Sequence, residues 1–221
     1  MYYLGIEEQQ AVLAVLEKGH LCRYGPEDST VLNFERGVGE KFNTKHAIAT
    51  NGGTSSLIVG LYAAGIGLGD EVIVPAYTWV ATPASVVIAN AVPIIAEIDN
   101  SLTIDPEDIE AKITSRTRAI IPVHMNGRSA DMNKINIIAK KHNINVIEDA
   151  AQAIGSKNQD GFLGTQSEIG CFSLSVAKTI ATGQGGFAVT KNEELAKRMR
   201  AIRTHGVENV KDPKNWIMPG F

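Results

Sequence analysis

The chain has 221 residues, of which 44% are hydrophobic and 20% charged; this excludes wholesale disorder and is long enough for a buried core without disulfide staples. Lys and Arg total 21 against 24 Asp and Glu, a net charge of −3 that offers no basic footprint for nucleic acid or an anionic membrane surface. Cys22 and Cys171 are the only cysteines and lack CxxC or CxxH spacing, so no disulfide framework or zinc site is expected, and a reducing cytoplasm fits best.

Met1-Tyr2-Tyr3-Leu4 shows no basic region followed by an apolar stretch, so no signal peptide is expected. Glu7 to Gly19 reads as an amphipathic helix lying outside the rest of the pattern. From there, short β-branched runs alternate with helical stretches. Glu71–Pro75 is a predicted strand, Trp79–Asn90 a helix and Val92–Ala96 a strand. Thr117–Val123 is a strand, Met132–Lys141 a helix and Asn145–Asp149 a strand. Gly186–Thr190 is the last strand and Glu193–Thr204 the last helix. The charge-free run from Val72 to Ala96 is interrupted by Pro75, Pro83 and Pro93 and flanked by acids, which marks it as buried core and not a membrane span. Such alternation implies crossovers, a mainly parallel sheet and helices on both faces. In sheets of this kind ligands bind beyond the carboxyl ends of the strands.

Three places at such ends carry chemistry. Asn51-Gly52-Gly53-Thr54-Ser55-Ser56 lies between Ala47-Ile48-Ala49 and the apolar helix Leu57–Ala64. Its small residues and the free N–H groups of a new helix suit an anion, although an ordinary capped helix reads the same way. It is not a P-loop, and Gly65-Ile66-Gly67-Leu68-Gly69 follows a helix, so it reads as a turn and not a dinucleotide fingerprint. Glu148-Asp149-Ala150-Ala151-Gln152 places a carboxylate at a strand end, suited either to a buried cation or to capping a helix. Lys178 is the only charge between Glu168 and Lys191. It is either a desolvated, nucleophilic lysine or one that snorkels to the surface.

An anion cradle, a lysine and a carboxylate are together what pyridoxal phosphate requires for its phosphate, its aldehyde and its ring nitrogen. At this point the chain resembles the DegT/StrS-type sugar aminotransferases, fold type I pyridoxal-phosphate enzymes. The likeness runs from about Tyr24 to the end, through Gly53-Thr54-Ser55, Gly69–Pro75, Thr78–Thr82, Ile121–His124, Glu148–Gln152 and Gly185-Gly186. The resemblance implies a three-layer α/β/α large domain with a mainly parallel mixed sheet over residues 24–221, preceded by an N-terminal helical segment over residues 1–23. It implies that Lys178 forms the Schiff base with the cofactor and shuttles the proton, and that Asp149 pairs with the ring nitrogen. It places Gln152 near the phenolic oxygen, stacks Trp79 on the ring (core packing being the alternative), and gives Gly53, Thr54, Ser55 and Ser173 to the phosphate. His124 is expected to be structural, and His205 is a candidate for the substrate channel.

Two departures stand out. Ser175, Val176 and Ala177 replace the aromatic and proline usual before the lysine, and the chain stops at Met218-Pro219-Gly220-Phe221, where the family motif continues toward an Asn that reaches the partner's cofactor phosphate. The C-terminal small domain is therefore expected to be absent from this chain, leaving apolar surface where it would dock. The implied activity is transfer of an amino group from an amino acid, glutamate or glutamine, to a keto sugar, most often nucleotide-linked, by a ping-pong route in a cytoplasmic homodimer. The alternatives are a keto-cyclitol acceptor, a truncated cofactor-binding pseudoenzyme, and a dehydratase. Relatives of the last kind carry His in place of this lysine, so Lys178 argues against it.

Overall fold

The computed structural model describes residues 4–19, 21 and 29–207. Cys22, the expected boundary between residues 23 and 24, and the final motif Met218–Phe221 lie outside the described residues. Helix α1 (Ile6–Lys18) buries none of its side chains, in keeping with its separateness in the sequence. The remaining elements in chain order are α2 (Thr30–Phe42), β1 (His46–Thr50), α3 (Gly53–Ala63), β2 (Glu71–Pro75), α4 (Ala81–Ile88), β3 (Val92–Ala96) and α5 (Pro106–Lys112). There follow β4 (Thr117–Ile120), α6 (Met132–His142), β5 (Asn145–Asp149), the short hairpin β6 (Lys157–Asn158) and β7 (Gly161–Phe162), β8 (Ile169–Ser173), β9 (Gly186–Thr190) and α7 (Glu193–Ile202).

Among the described residues, seven strands form one sheet in the order β1-β9-β8-β5-β4-β2-β3. Strand β9 runs antiparallel to both of its neighbours, and the other pairings are parallel, giving the mostly parallel mixed sheet that the alternation implies. On one face, residues of α3, α4 and α7 such as Leu57, Leu61, Val86 and Met199 pack against Ile48, Val72 and Ile147. On the other, α5 and α6 bring Ile109, Met132 and Ile135 onto Ile73, Ile120 and Val146, while α2 places Val38 and Phe42 against Phe172 and Phe187. This is a three-layer α/β/α arrangement. Among the described residues, no helix is long and apolar enough to cross a membrane.

Some boundaries differ from the patterning for local reasons. Helix α3 begins at Gly53, four residues before the apolar run, because Ser56 N–H already bonds back to Gly52 O at 3.0 Å. Helix α4 is shorter than Trp79–Asn90: Asn90 adopts a left-handed φ of 60°, and the chain from Thr78 to Val80 forms the approach turn. The ladder of β4 stops before Pro122, which has no N–H to give, yet Val123 still bridges Asp149 in parallel. Helix α2 escapes the patterning because Gly37 and Gly39 weaken its helical signature. Strand β8 is buried at every position and so shows no alternation.

Several close approaches depend on glycine, two of them against the backbone of a neighbouring segment. A Cβ on Gly170 would lie 1.7 Å from the Gly164 carbonyl oxygen, and one on Gly186 would lie 2.5 Å from the Gly52 carbonyl carbon. Gly170→Ala is therefore expected to cost about 3 kcal/mol or more, or to prevent folding. Gly37→Ala, whose Cβ meets nothing within 4 Å inside α2, should instead stabilise by roughly 0.5–1 kcal/mol. Urea or thermal unfolding of the two variants checks both signs.

Candidate active site

The strand register brings the carboxyl ends of β1, β8 and β5 to one rim. Thr50 pairs with Gly186, Gly186 with Ser173, and Asp149 with Cys171, while Val123 bridges Asp149 on the other side. A cleft of about 250 Å³ opens there, lined among others by Gly53, Thr54, Trp79, Asp149, Gln152, Ser173 and Lys178. Seven of the eight residues expected for the cofactor thus meet in one place. Ser55 does not join them: it lines a neighbouring depression with Asn51, Ile58 and Arg203, because its side chain projects from the next position around the first turn of α3. His205 is exposed after α7 and is not among the residues lining the cleft.

Asp149 is only 5% exposed, and burial raises its carboxyl above the ordinary value of 3.8. Opposing that shift are Ala151 N–H, which donates to Oδ1 at 3.1 Å, and Thr82 O–H, which donates to Oδ2 at 2.9 Å, then the charges of Lys178 and His124. Thr82 Oγ1 lies 2.8 Å from Thr78 Oγ1. With its own proton directed to Asp149, Thr82 accepts from Thr78, so two hydroxyls are polarised toward the carboxylate. The two oxygens are fixed in orientation, and each keeps a lone pair for a further donor.

Around this carboxylate the other groups have distinct settings. The N–H groups of Gly53, Thr54 and Ser55 precede the first intrahelical bond of α3 and carry the positive end of its dipole. Ser173 packs against Gly53, where a Cβ would approach its own to 2.7 Å, so the two cradle segments touch. Gln152 is held by Asn126 N–H, which donates to its Oε1 at 3.1 Å. Trp79 is 67% exposed, which excludes core packing and leaves its ring at the cleft rim. Lys178 is partly buried on the loop after β8, and Ser175 and Gln184 complete the wall beside it. Cys171 is buried below, its thiol raised well above its usual range by burial and then by Asp149 and Glu148, so it is no nucleophile.

Thr82 is a partner of Asp149 that the sequence pattern does not single out; it stands at the end of the Thr78–Thr82 motif, and the signal for it is a hydroxyl four residues after that of Thr78. His124 is fully buried and bonds to Glu148, as expected of a structural histidine. A carboxylate in a dry setting, a lysine, an anion-ready helix start and an aromatic at the rim form a donor set that fits pyridoxal phosphate.

Comparison with known proteins agrees. Residues 3–221 match the DegT/DnrJ/EryC1/StrS aminotransferase family. The chain is 40% identical over 205 residues to the spore coat polysaccharide biosynthesis protein SpsC of Bacillus subtilis, covering 92% of this chain and 52% of that protein. It is 39% identical to the L-glutamine:2-deoxy-scyllo-inosose aminotransferase of Streptomyces kanamyceticus, covering 89% and 47%. To the GDP-perosamine synthase of Caulobacter vibrioides it is 41% identical, covering 80% and 48%. The crystal structure of ntda from Bacillus subtilis with bound cofactor PMP superposes with a TM-score of 0.87 at 35% identity, covering 99% of this chain and 50% of that one. The chain spans about half the length of the curated relatives it matches.

Burial of Asp149 has a consequence that can be measured without any cofactor. A carboxyl raised in the folded state destabilises that state wherever it must ionise. Asp149→Asn should therefore raise the thermal midpoint of the cofactor-free chain by a few degrees at pH 8. The difference should shrink as pH falls through the raised range and vanish below the ordinary value of 3.8. Thermal scans across pH check this, and a variant less stable at pH 8 would contradict it.

Proposed function

Because the chain belongs to the DegT/DnrJ/EryC1/StrS aminotransferase family, whose cofactor is pyridoxal phosphate, we propose that it is the cofactor-holding core of an enzyme that moves an amino group from an amino acid to a keto sugar. The observation that carries this reading is the convergence of Lys178, Asp149 and the Gly53–Thr54 turn, from three separate stretches of chain, on one cleft. When bound, pyridoxal phosphate supplies an aldehyde for a primary amine and a ring that accepts the electron pair released when a neighbouring C–H bond breaks.

The chain's own groups have complementary tasks. Lys178 is the amine for the aldehyde and, once displaced by a substrate amine, holds the travelling proton at Nζ. Asp149 holds a proton on the ring nitrogen, and its desolvated carboxylate, steered by Thr82 and Ala151, is favoured by such a pairing. The free N–H groups at the start of α3, with the hydroxyls of Thr54 and Ser173, hold the phosphate; Ser55 contributes through its backbone N–H. Gln152 would meet the phenolic oxygen, and Trp79 would cover the ring.

Glutamate or glutamine is the donor in this reading, supported by the glutamine named for the relative from Streptomyces kanamyceticus. The acceptor is a nucleotide-linked keto sugar, as the GDP-perosamine synthase suggests, and the product feeds polysaccharide formation. A keto-cyclitol is the second reading, favoured by the inosose relative. The protein works as a cytoplasmic homodimer. The dimer is supported by apolar side chains exposed along α4 and the turn that leads into it, Val80 at 67% and Val87 at 58%.

Amino-donor half-reactions test the reading. The chain loaded with pyridoxal phosphate should change its visible absorbance when glutamate or glutamine is added, with one keto acid released per cofactor, and Lys178→Ala should slow this at least about a hundredfold. A loaded chain that responds to no amino acid would be a cofactor-binding protein without turnover.

A further inference from the structure

Behind the cleft lies a fully buried histidine–carboxylate pair, neither member of which is among the residues lining it. His124 Nε2 donates to Glu148 Oε2 at 2.9 Å, and both side chains are wholly inaccessible. Ala130 N–H donates to His124 Nδ1 at 3.2 Å, so the ring proton resides on Nε2. Glu148 also accepts from Gly164 N–H at 2.7 Å, Gln166 N–H at 2.7 Å and Ser167 O–H at 2.9 Å. Every partner of this carboxylate is a donor, and together they join three segments: the extension of β4, the end of β5, and the turn leading into β8.

A pair of this kind is a poor device for stability alone, because well-packed apolar residues of the same volume commonly serve a core as well or better. Its connections lead elsewhere. His124 N–H bonds to Asp149 O at 3.0 Å, and Asp149 N–H bonds to Pro122 O at 2.9 Å, so the backbone on either side of Val123 fixes the backbone of Asp149. His124 also opens the turn Met125–Gly127, in which Asn126 holds a left-handed φ of 52° and gives its N–H to Gln152 Oε1. Glu148 adjoins Asp149 in β5, and by the alternation of a strand its side chain points to the opposite face, toward the turn at 164–167. His124 therefore connects to both side chains that meet the edge of the cofactor's ring in the proposed function, to Asp149 through backbone pairing and to Gln152 through Asn126.

We propose that His124 and Glu148 are a positioning pair that sets where Asp149 and Gln152 stand and thereby how tightly and in what electronic setting the pyridoxal ring is held. This inference rests on the proposed cofactor site. His124→Leu removes the donor to Glu148 and the acceptor for Ala130, freeing the β4 extension to move relative to Asp149. His124→Gln keeps an N–H near the place of Nε2. Glu148→Gln keeps the volume but turns one acceptor into a donor facing other donors.

The test measures binding of pyridoxal phosphate by titration, together with the visible absorbance maximum of the bound form, in the 221-residue chain and its variants. The control is Ile109→Ala, a fully buried position on α5 away from the cleft, which lowers stability without touching this network. His124→Leu should shift the absorbance maximum and weaken binding about tenfold or more, the size of loss that follows removal of the groups orienting metal ligands. His124→Gln should recover most of the affinity, and Ile109→Ala should alter neither quantity at a comparable loss of thermal midpoint. Should His124→Leu not fold, Glu148→Gln is read in its place with the same expectation. Unchanged affinity and spectrum in the folded variant, or equal changes in Ile109→Ala, would overturn the proposal and leave the pair as core. If the unaltered chain takes up no pyridoxal phosphate, the proposed function itself fails and this inference falls with it.

Discussion

Burying a carboxyl at the end of a central strand carries a desolvation cost that has to be met locally, and much of this sheet's rim is arranged around Asp149 for that reason. Its two oxygens accept from Ala151 and Thr82, Thr82 is in turn supported by Thr78, and Lys178 lies close enough to act on its charge. These contacts reduce the cost without removing it, since the net effect still disfavours the ionised form. A cationic partner supplied from the cleft would supply what the protein alone does not. In the proposed site a protonated ring nitrogen would meet that cost, a common trade of stability for function.

The position of that carboxylate follows from the register of the sheet. Parallel pairing of β5 with β8 and of Val123 with Asp149 puts the ends of these strands side by side, and antiparallel β9 brings Gly186 beside both Ser173 and Thr50. Glycines permit the tightest contacts. Gly186 lets β9 reach the turn before α3, Gly53 lets that turn touch Ser173, and Gly170 lets the strand carrying Ser173 lie against Gly164. A slip of one residue in β5 would send Asp149 to the far face and Glu148 to the cleft, so the donors gathered around Glu148 also guard the register.

The strands Glu71–Pro75, Val92–Ala96, Asn145–Asp149 and Gly186–Thr190 are legible in the sequence to the residue, because each is a short β-branched or apolar run with clear breakers. Helix α2 is not, since its two internal glycines mask its apolar face, and β8 is not, since a strand buried on both sides has no period to read. The site was legible as three chemically suggestive stretches, and their convergence could be argued only through the sheet rule and the family likeness. What sequence order could not convey were side-chain directions. Ser55 points away from its neighbours Gly53 and Thr54, Thr82 reaches back to Asp149 across 67 residues, and His124 pairs with Glu148 and not with the more obvious Asp149.

The central claim is that Lys178, Asp149 and the start of α3 make one pyridoxal-phosphate site. The most direct measurement is to incubate the chain with pyridoxal phosphate, reduce it with borohydride and map the modified lysine by mass spectrometry. The account predicts a single phosphopyridoxyl group on Lys178. A folded chain with no label, or with label spread over exposed lysines such as Lys45 and Lys141, would contradict it.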